Sequence, residues 1–427
     1  MNLVPARTPA PKQIAAAVIG NALEWYDFVV YGFFASVLAQ AFFPSGDDTA
    51  ALLLAFATFG AGFCTRPLGG VFFGFYADRK GRKAALQLIM FLMTGAVAVI
   101  AFAPTYASVG VFAPLLIVAG RLLQGFATGG EFASSTAFLI EIAPAGRRGL
   151  YGSLQMVGQG LSILLGTLAG IVVAGAFSAE ALHEWAWRLP FLAGLLIGPV
   201  GVCIRRNLDE THAFQTSPQH GRARDAFLDL VRRRGDRLIA CFAATVGATI
   251  SFYVVLVYMP TYGKTEMGLS LAQSFIAQAP GLLLLIALTP LIGAFSDRFG
   301  RRPLLLAFYG LLLLCVYPLF VWMQAERSLS ALAAAQTAFC VILSGLFGAL
   351  STALAEQFPT HVRTAGLAIA YNVAVMIFGG FAPFIVSWLI GVLATPVAPA
   401  FYLMFGAAVG LLGVAGLRDR HDAPGLD

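Results

Sequence analysis

Twelve apolar runs of about 20 residues follow one another along the chain. They lie near residues 14–40, 50–76, 84–104, 112–141, 150–177, 187–205, 238–262, 271–296, 303–324, 332–356, 364–391 and 396–416. A run of that length crosses a hydrocarbon layer of about 30 Å as a helix. In lipid the backbone must satisfy its own polar groups, and a helix does so within one segment. The composition agrees: 11% of the 427 residues are charged and 59% are hydrophobic, against about 25% charged in ordinary soluble domains. These features exclude a soluble enzyme and predict an all-α integral membrane protein. A polar stretch from Arg206 to Asp236 divides the runs six and six. The expected organisation is an N-terminal six-helix bundle over 1–205, a linker over 206–236, and a C-terminal six-helix bundle with a short tail over 237–427. The linker is basic, and it is either a simple tether or, over Ala226 to Val231, a short amphipathic surface helix.

The halves are related. The stretch Gly74 to Lys83, GFYADRKGRK, recurs as Gly293 to Arg302, GAFSDRFGRR, so that Asp78 and Asp297 lie 219 residues apart. Glu141, Pro144 and Arg148 recur 215 residues later as Glu356, Pro359 and Arg363. Two independent motif pairs at nearly one offset predict two pseudo-symmetric bundles. In each motif a carboxylate stands at a helix end, followed at once by basic residues. Such a carboxylate accepts hydrogen bonds from the amino end of a neighbouring helix or pairs with an arginine. We therefore assign Gly74, Asp78, Arg79, Gly81, Arg82, Gly293, Asp297, Arg298, Gly300 and Arg301, together with Glu141, Arg148, Glu356 and Arg363, to gating loops. The alternative is a plain topology-setting loop.

Lysine and arginine set the orientation. The loops on the motif side and the linker are rich in them, whereas the opposite loops offer Arg188, Lys264 and Arg327. The positive-inside rule then predicts both termini and the linker in the cytoplasm. The net charge of +6 reflects these loops and is no sign of a nucleic-acid partner. The five cysteines lie inside apolar segments with no C-x-x-C pair, as small packing residues do. No metal-ligand cluster or cofactor motif is present, and the expected partner at this point is the lipid bilayer, with the chain acting as a monomer.

Five charged residues remain inside apolar runs: Glu24, Asp27, Arg66, Arg121 and Glu131. Each costs several kcal/mol at the bilayer centre, so a lined polar pathway is expected. The alternative is a set of permanent ion pairs locking the helices. Counting residues from the helix ends puts Glu24, Asp27, Arg66 and Glu131 near the midplane, with Arg121 about 15 Å further outward. Glu24, Asp27 and Tyr31 share one face of the first helix, as Arg121, Gln124 and Thr128 do on the fourth. Arginine stays protonated and matches a carboxylate with two hydrogen bonds, so Arg66 and Arg121 are candidate anion contacts. Carboxylates can titrate, which makes Asp27, Glu131 and Glu24 the proton-coupling candidates. Tyr26, Gln124, Gln155, Gln159, Tyr253, Tyr258, Tyr262, Tyr371 and Asn372 are candidates to complete a hydroxylated anion's shell.

The repeated loops, with GNALEWYDFVVYGFF (Gly20–Phe34), RPLGGVFFG (Arg66–Gly74), RLLQGFATGGEF (Arg121–Phe132), EIAPAGRRGLYGS (Glu141–Ser153) and WRLPFLAG (Trp187–Gly194), resemble the metabolite:proton symporters of the major facilitator superfamily. YMPTYGKT (Tyr258–Thr265) and the stretch from Glu356 to Pro383 look most like the citrate and tricarballylate carriers within that group. The resemblance implies the major facilitator fold and alternating access, with the repeated loops latching one state. It implies proton-coupled import of citrate or a related tricarboxylate. Alternatives within the group are 2-oxoglutarate-like dicarboxylates, shikimate, and proline or betaine; outside it, a transporter-like membrane sensor. The pattern of Arg121 and Gly125 resembles the family's fourth-helix motif, which implies a role for Arg121 in proton coupling beside Glu131.

Overall fold

The computed structural model describes residues 11–80, 82–129, 131–205 and 223–419. Twelve helical columns follow the twelve apolar runs. They are α1 (Pro11–Phe33 and Ala35–Phe42), α2 (Asp48–Cys64 and Arg66–Lys80), α3 (Arg82–Ala101), α4 (Phe112–Ala127 and Glu131–Glu141), α5 (Arg148–Ala176), α6 (Arg188–Arg205), α7 (Ala223–Ser251, continued to Thr265), α8 (Leu271–Phe299), α9 (Arg301–Glu326), α10 (Leu329–Ala355), α11 (Arg363–Ala374, continued to Leu393) and α12 (Ala398–Ala415). Among the described residues, nine of these are long and apolar enough to cross a membrane alone, and the two parts of α1, bent by 62°, together make a tenth. The shorter apolar stretch Gln87–Ala101 belongs to α3. Of the linker, residues 206–222 lie outside the described residues; α7 then begins at Ala223 and kinks at Arg234, whose φ of −135° leaves the helical region.

The packing repeats. The pairs α1–α5, α1–α6, α2–α4, α3–α4 and α3–α6 have the counterparts α7–α11, α7–α12, α8–α10, α9–α10 and α9–α12. Adding six to each helix number maps one half onto the other. The halves meet along α5–α8 and, reciprocally, α11–α2, with α1 against α7.

Glycines set the closest approaches. A Cβ built on Gly125 would collide with the carbonyl of Gly62, and one on Gly129 with that of Arg66. Bare backbone is what lets α2 and α4 touch, as expected where packing in lipid depends on small residues. Thr65 interrupts α2 at that contact: its hydroxyl donates to Leu122 O at 2.7 Å, across on α4. The break makes Arg66 the first residue of a new helical segment.

Two columns contain π-helical turns, Phe252–Tyr258 in α7 and Val375–Gly379 in α11. These loosened turns leave backbone carbonyls to be satisfied from outside. Gln278 Nε2 of α8 donates to Leu256 O at 2.7 Å, and Gln336 Nε2 of α10 to Val255 O at 2.9 Å. Tyr402 of α12 donates to Phe378 O at 3.0 Å.

Candidate functional site

Trp25, Phe28 and Tyr31 follow i, i+3, i+6 spacing and form a buried aromatic stripe on α1. Two arginines from two other helices lie on it. The Arg66 guanidinium carbon is 4.9 Å from the Trp25 ring centroid, 4.7 Å from Phe28 and 4.2 Å from Phe63. The Arg121 carbon is 4.8 Å from Phe28, 4.4 Å from Tyr31 and 4.9 Å from Phe59. Phe28 is therefore shared. Ring quadrupoles offset part of the cost of holding cations away from water. Arg66 is 3% exposed and Arg121 0%. Arg121 Nη1 donates to Gln124 Oε1 at 2.6 Å, while Arg66 Nε, Arg121 Nε and Arg121 Nη2 have no acceptor within the protein.

The second half closes over this pair. Tyr253, in the π-helical turn of α7, packs edge-on against Phe59 and Phe63 with centroids at 5.9 and 5.4 Å, and its buried hydroxyl has no partner. It interacts electrostatically with both arginines. Tyr371 of α11 stacks on Phe132 of α4 at 3.6 Å, lies in the field of Arg66 and stands beside Gln159. Gln155 Oε1 accepts from Ser135 Oγ at 2.7 Å. The amide nitrogens of Gln124, Gln155 and Gln159 are buried without acceptors.

The carboxylates distribute differently from the sequence expectation. Asp27 interacts with Arg121, and Glu131, which opens the second segment of α4, interacts with Arg66. Asp27 thus lies in the field of Arg121 and Glu131 in that of Arg66. Arg121 also lies beside Arg66 instead of a further 15 Å outward, because counting backbone rise neglects the reach and direction of a long side chain. Glu24 is half-buried on α1. Three candidates are engaged elsewhere. Tyr26 donates to Pro190 O on α6 at 3.1 Å. Asn372 Nδ2 donates to Gly129 O at 2.8 Å, joining α11 to the break in α4. Tyr258 lies further along α7 against Phe56 and Tyr262. The sequence reading overlooked the rings of Trp25, Phe28, Phe59 and Phe63, although the α1 spacing carries their signal.

Both ends of this site are closed. At the repeated-motif end, Asp297 accepts from the backbone N–H groups of Gly149 and Leu150 at 2.7 and 3.1 Å, at the amino end of α5. Arg301 bridges Asp297 at 2.8 Å and Glu356 at 3.2 Å. Arg363 pairs with Glu141 at 3.2 Å, and Thr352 donates to Arg148 O at 3.1 Å. Gly300 holds φ +90°, a turn open to glycine, and Arg298 is exposed. The side chains of the first copy, from Gly74 through Asp78, Arg79, Gly81 and Arg82, lie outside the described residues. At the other end, reciprocal contacts set Phe381 on Gly60 and Phe63 on Gly380, and Phe275 on Gly170. There burial and the charge of Lys264 hold the His183 imidazole below its ordinary value, so it is neutral at pH 7. Among the described residues no cluster of three or more His, Cys, Asp or Glu side chains is arranged to hold a metal.

The arrangement is an occluded site rich in donors, walled by both halves and lying between two closed ends. Comparison with known proteins agrees with that architecture. The family model described as Major Facilitator Superfamily matches residues 17–383. The citrate-proton symporter of Klebsiella pneumoniae is 36% identical over 406 residues, covering 94% of this chain and 90% of that protein. The proline/betaine transporter of Salmonella typhimurium is 32% identical over 423 residues, covering 97% of this chain and 84% of that protein. The crystal structure of a D-xylose-proton symporter superposes with a TM-score of 0.74 at 20% identity, over 95% of this chain and 96% of that one. The chain therefore belongs to the major facilitator superfamily, and it is a multi-pass membrane transporter, not an enzyme.

Proposed function

We propose that this transporter is a proton-coupled symporter that imports a carboxylate metabolite, citrate or a related tricarboxylate, by alternating access. The observation that carries the reading is the chemistry of the unpartnered atoms. Around the two arginines the unpartnered donors are Arg66 Nε, Arg121 Nε and Nη2, the amide nitrogens of Gln124, Gln155 and Gln159, and the Tyr253 hydroxyl, beside one acceptor, Asp27 Oδ1. Donors predominate. Buried donors without acceptors are costly, and a ligand with several carboxylate oxygens supplies the acceptors. Asp27 and Glu131, each in the field of one arginine, are the proton carriers of the proposal. A substrate carboxylate competes for those arginines, which raises the proton affinity of the side-chain carboxylates and couples the two bindings. The similarity to a citrate-proton symporter supports the substrate class.

The second reading is a zwitterion such as proline or betaine, favoured by the similarity to proline/betaine transporters. An ammonium group would use aromatic faces, and here Arg66 and Arg121 lie over those of Trp25, Phe28, Tyr31, Phe59 and Phe63. That occupancy favours the anion. Placement in a bacterial inner membrane with both termini cytoplasmic, and the division of the chain at the 206–236 linker, belong to the same proposal. The test is a competition panel in vesicles holding the full chain, with labelled citrate uptake measured against di- and tricarboxylates, shikimate, proline and betaine. Competition confined to carboxylates supports the proposal. Uptake of proline or betaine with no uptake of any carboxylate overturns it.

A further inference from the structure

The motif WRLPFLAG ends at Gly194 on α6, away from the arginine cluster, and the transport reading gives it no task. Its geometry suggests one. Tyr26 and Asp27, adjacent on α1, both dock on α6: Tyr26 donates to Pro190 O at 3.1 Å, and the Asp27 carboxyl lies on Gly194. Positions 190 and 194 are one turn apart and share a helix face. A Cβ built on Gly194 overlaps Asp27 Oδ1 and falls 3.0 Å from its Cγ and 3.5 Å from its Oδ2. Asp27 Oδ1 is buried and has no hydrogen-bond partner. Any side chain at 194 would displace the carboxyl group.

We propose that Gly194 is a positioning residue for Asp27: the space left by its missing side chain seats the carboxyl group at a fixed distance from Arg121 and so sets the pH at which Asp27 takes its proton. The proposal rests on the reading of Asp27 as a proton carrier. Glu24 and Tyr31 flank Asp27 one turn away on α1; Arg66 of α2 lies beside Arg121, Tyr253 of α7 interacts with both arginines, and Glu131 of α4 interacts with Arg66. Arg121 approaches Asp27 from α4, and Tyr26 interacts with it from α1 itself. Along α3, Gln87–Ala101 carries no ionisable side chain. The described ionisable groups of α5, Arg148 and Tyr151, stand at its amino end. Arg188 of α6 is committed to the carbonyls of Glu184 and Ala103 at 2.9 and 2.8 Å. Arg121 is the charged group that acts on Asp27, so a displacement of the carboxyl relative to it changes the proton affinity.

The experiment titrates the protonated-carboxyl infrared band of the full chain in liposomes, a readout that needs no substrate. The part of the band lost in Asp27→Asn is assigned to Asp27. Gly194→Ser adds a hydroxyl that donates to the charged form and should move the midpoint to lower pH by about one unit. Gly194→Ala adds a methyl group and no donor, excludes solvent further, and should move it to higher pH. A midpoint that moves in both variants, lower in Ser than in Ala because its hydroxyl donates to the charged form, supports the proposal. Midpoints that stay put in both variants overturn it. If Asp27→Asn removes no part of the band, Asp27 does not titrate, and the proton-carrier reading falls together with the positioning role. If Asp27→Asn removes a part of the band but neither Gly194 variant shifts that part, only the positioning role falls. Should the Gly194 variants fail to reach the membrane, Asp27→Ala combined with Gly194→Ala decides. Recovery of folded protein in the double variant supports a clash with Asp27; no recovery assigns the glycine to another contact and overturns the proposal.

Discussion

Replacing Arg66 by glutamine removes the cation that sits between α1 and the second half. The guanidinium is 3% exposed, so a substrate carboxylate that pairs with it is shielded from water. Leaving such a charge without its ionic partner costs about 2–5 kcal/mol. Glutamine retains a neutral amide donor group, which places the expected loss near the lower end, about 2–3 kcal/mol, or roughly 30- to 150-fold in Kd. Arg66→Lys keeps the charge but loses the planar fork and the flat contact with Trp25, Phe28 and Phe63; a loss of about tenfold is expected. The assay is citrate counterflow in vesicles, read as half-saturation concentration, with protein amount and melting temperature measured on the same preparations. The ordering wild type, Lys, Gln tests the argument. A folded Gln variant with an affinity within about threefold of wild type would remove Arg66 from the site and with it the donor-cluster reasoning.

Further outcomes follow from the same geometry. Asp297→Asn weakens both the pair with Arg301 and the acceptance of two α5 N–H groups; hydrogen bonds to charged groups contribute about 1.5–3 kcal/mol, so a cysteine placed at Ser153 on that interface should label about 10- to 150-fold faster from the motif end. An unchanged rate would mean that the contact does not hold the end closed. Gln278→Leu orphans the Leu256 carbonyl of the π-helical turn and should cost about 1–3 kcal/mol of stability, visible as a lower melting temperature; no change would show that the freed carbonyl finds another donor. Glu131→Gln should lose uphill uptake while retaining exchange at equal concentrations, and loss of both activities in folded protein would reassign Glu131 to structure.

The helices were legible because a bilayer demands long apolar runs, and the repeat was legible because Asp297 and Arg301 require fixed spacing from their helix end. The donor cluster was legible in part. Charged residues announce themselves in an apolar chain, so Arg66, Arg121, Asp27 and Glu131 stood out, and Gln124 lay in the stripe that reaches Arg121. The rings did not stand out, since a phenylalanine in a membrane helix is ordinary until an arginine is found above it. Asp27 and Phe28 are neighbours in sequence but point about 100° apart around α1: Asp27 meets Gly194 of α6, while Phe28 lies under both arginines. The π-helical turns in α7 and α11 have no compositional signature, and their partners Gln278 and Gln336 read from sequence as unremarkable polar residues. Gly194 is invisible in the same way, because the meaning of a missing side chain lies in what occupies its place.

The central claim is that movement of a carboxylate and movement of a proton are one event at the Arg66–Arg121 site. The direct measurement is made in proteoliposomes holding the full chain, with citrate added outside at equal pH and no ion gradient, while internal pH and labelled citrate are followed together. The account predicts acidification of the lumen in step with citrate entry, and accumulation of citrate above its external concentration when an inward proton gradient is imposed. Citrate entry with no accompanying proton movement, unaffected by the imposed gradient, would contradict it.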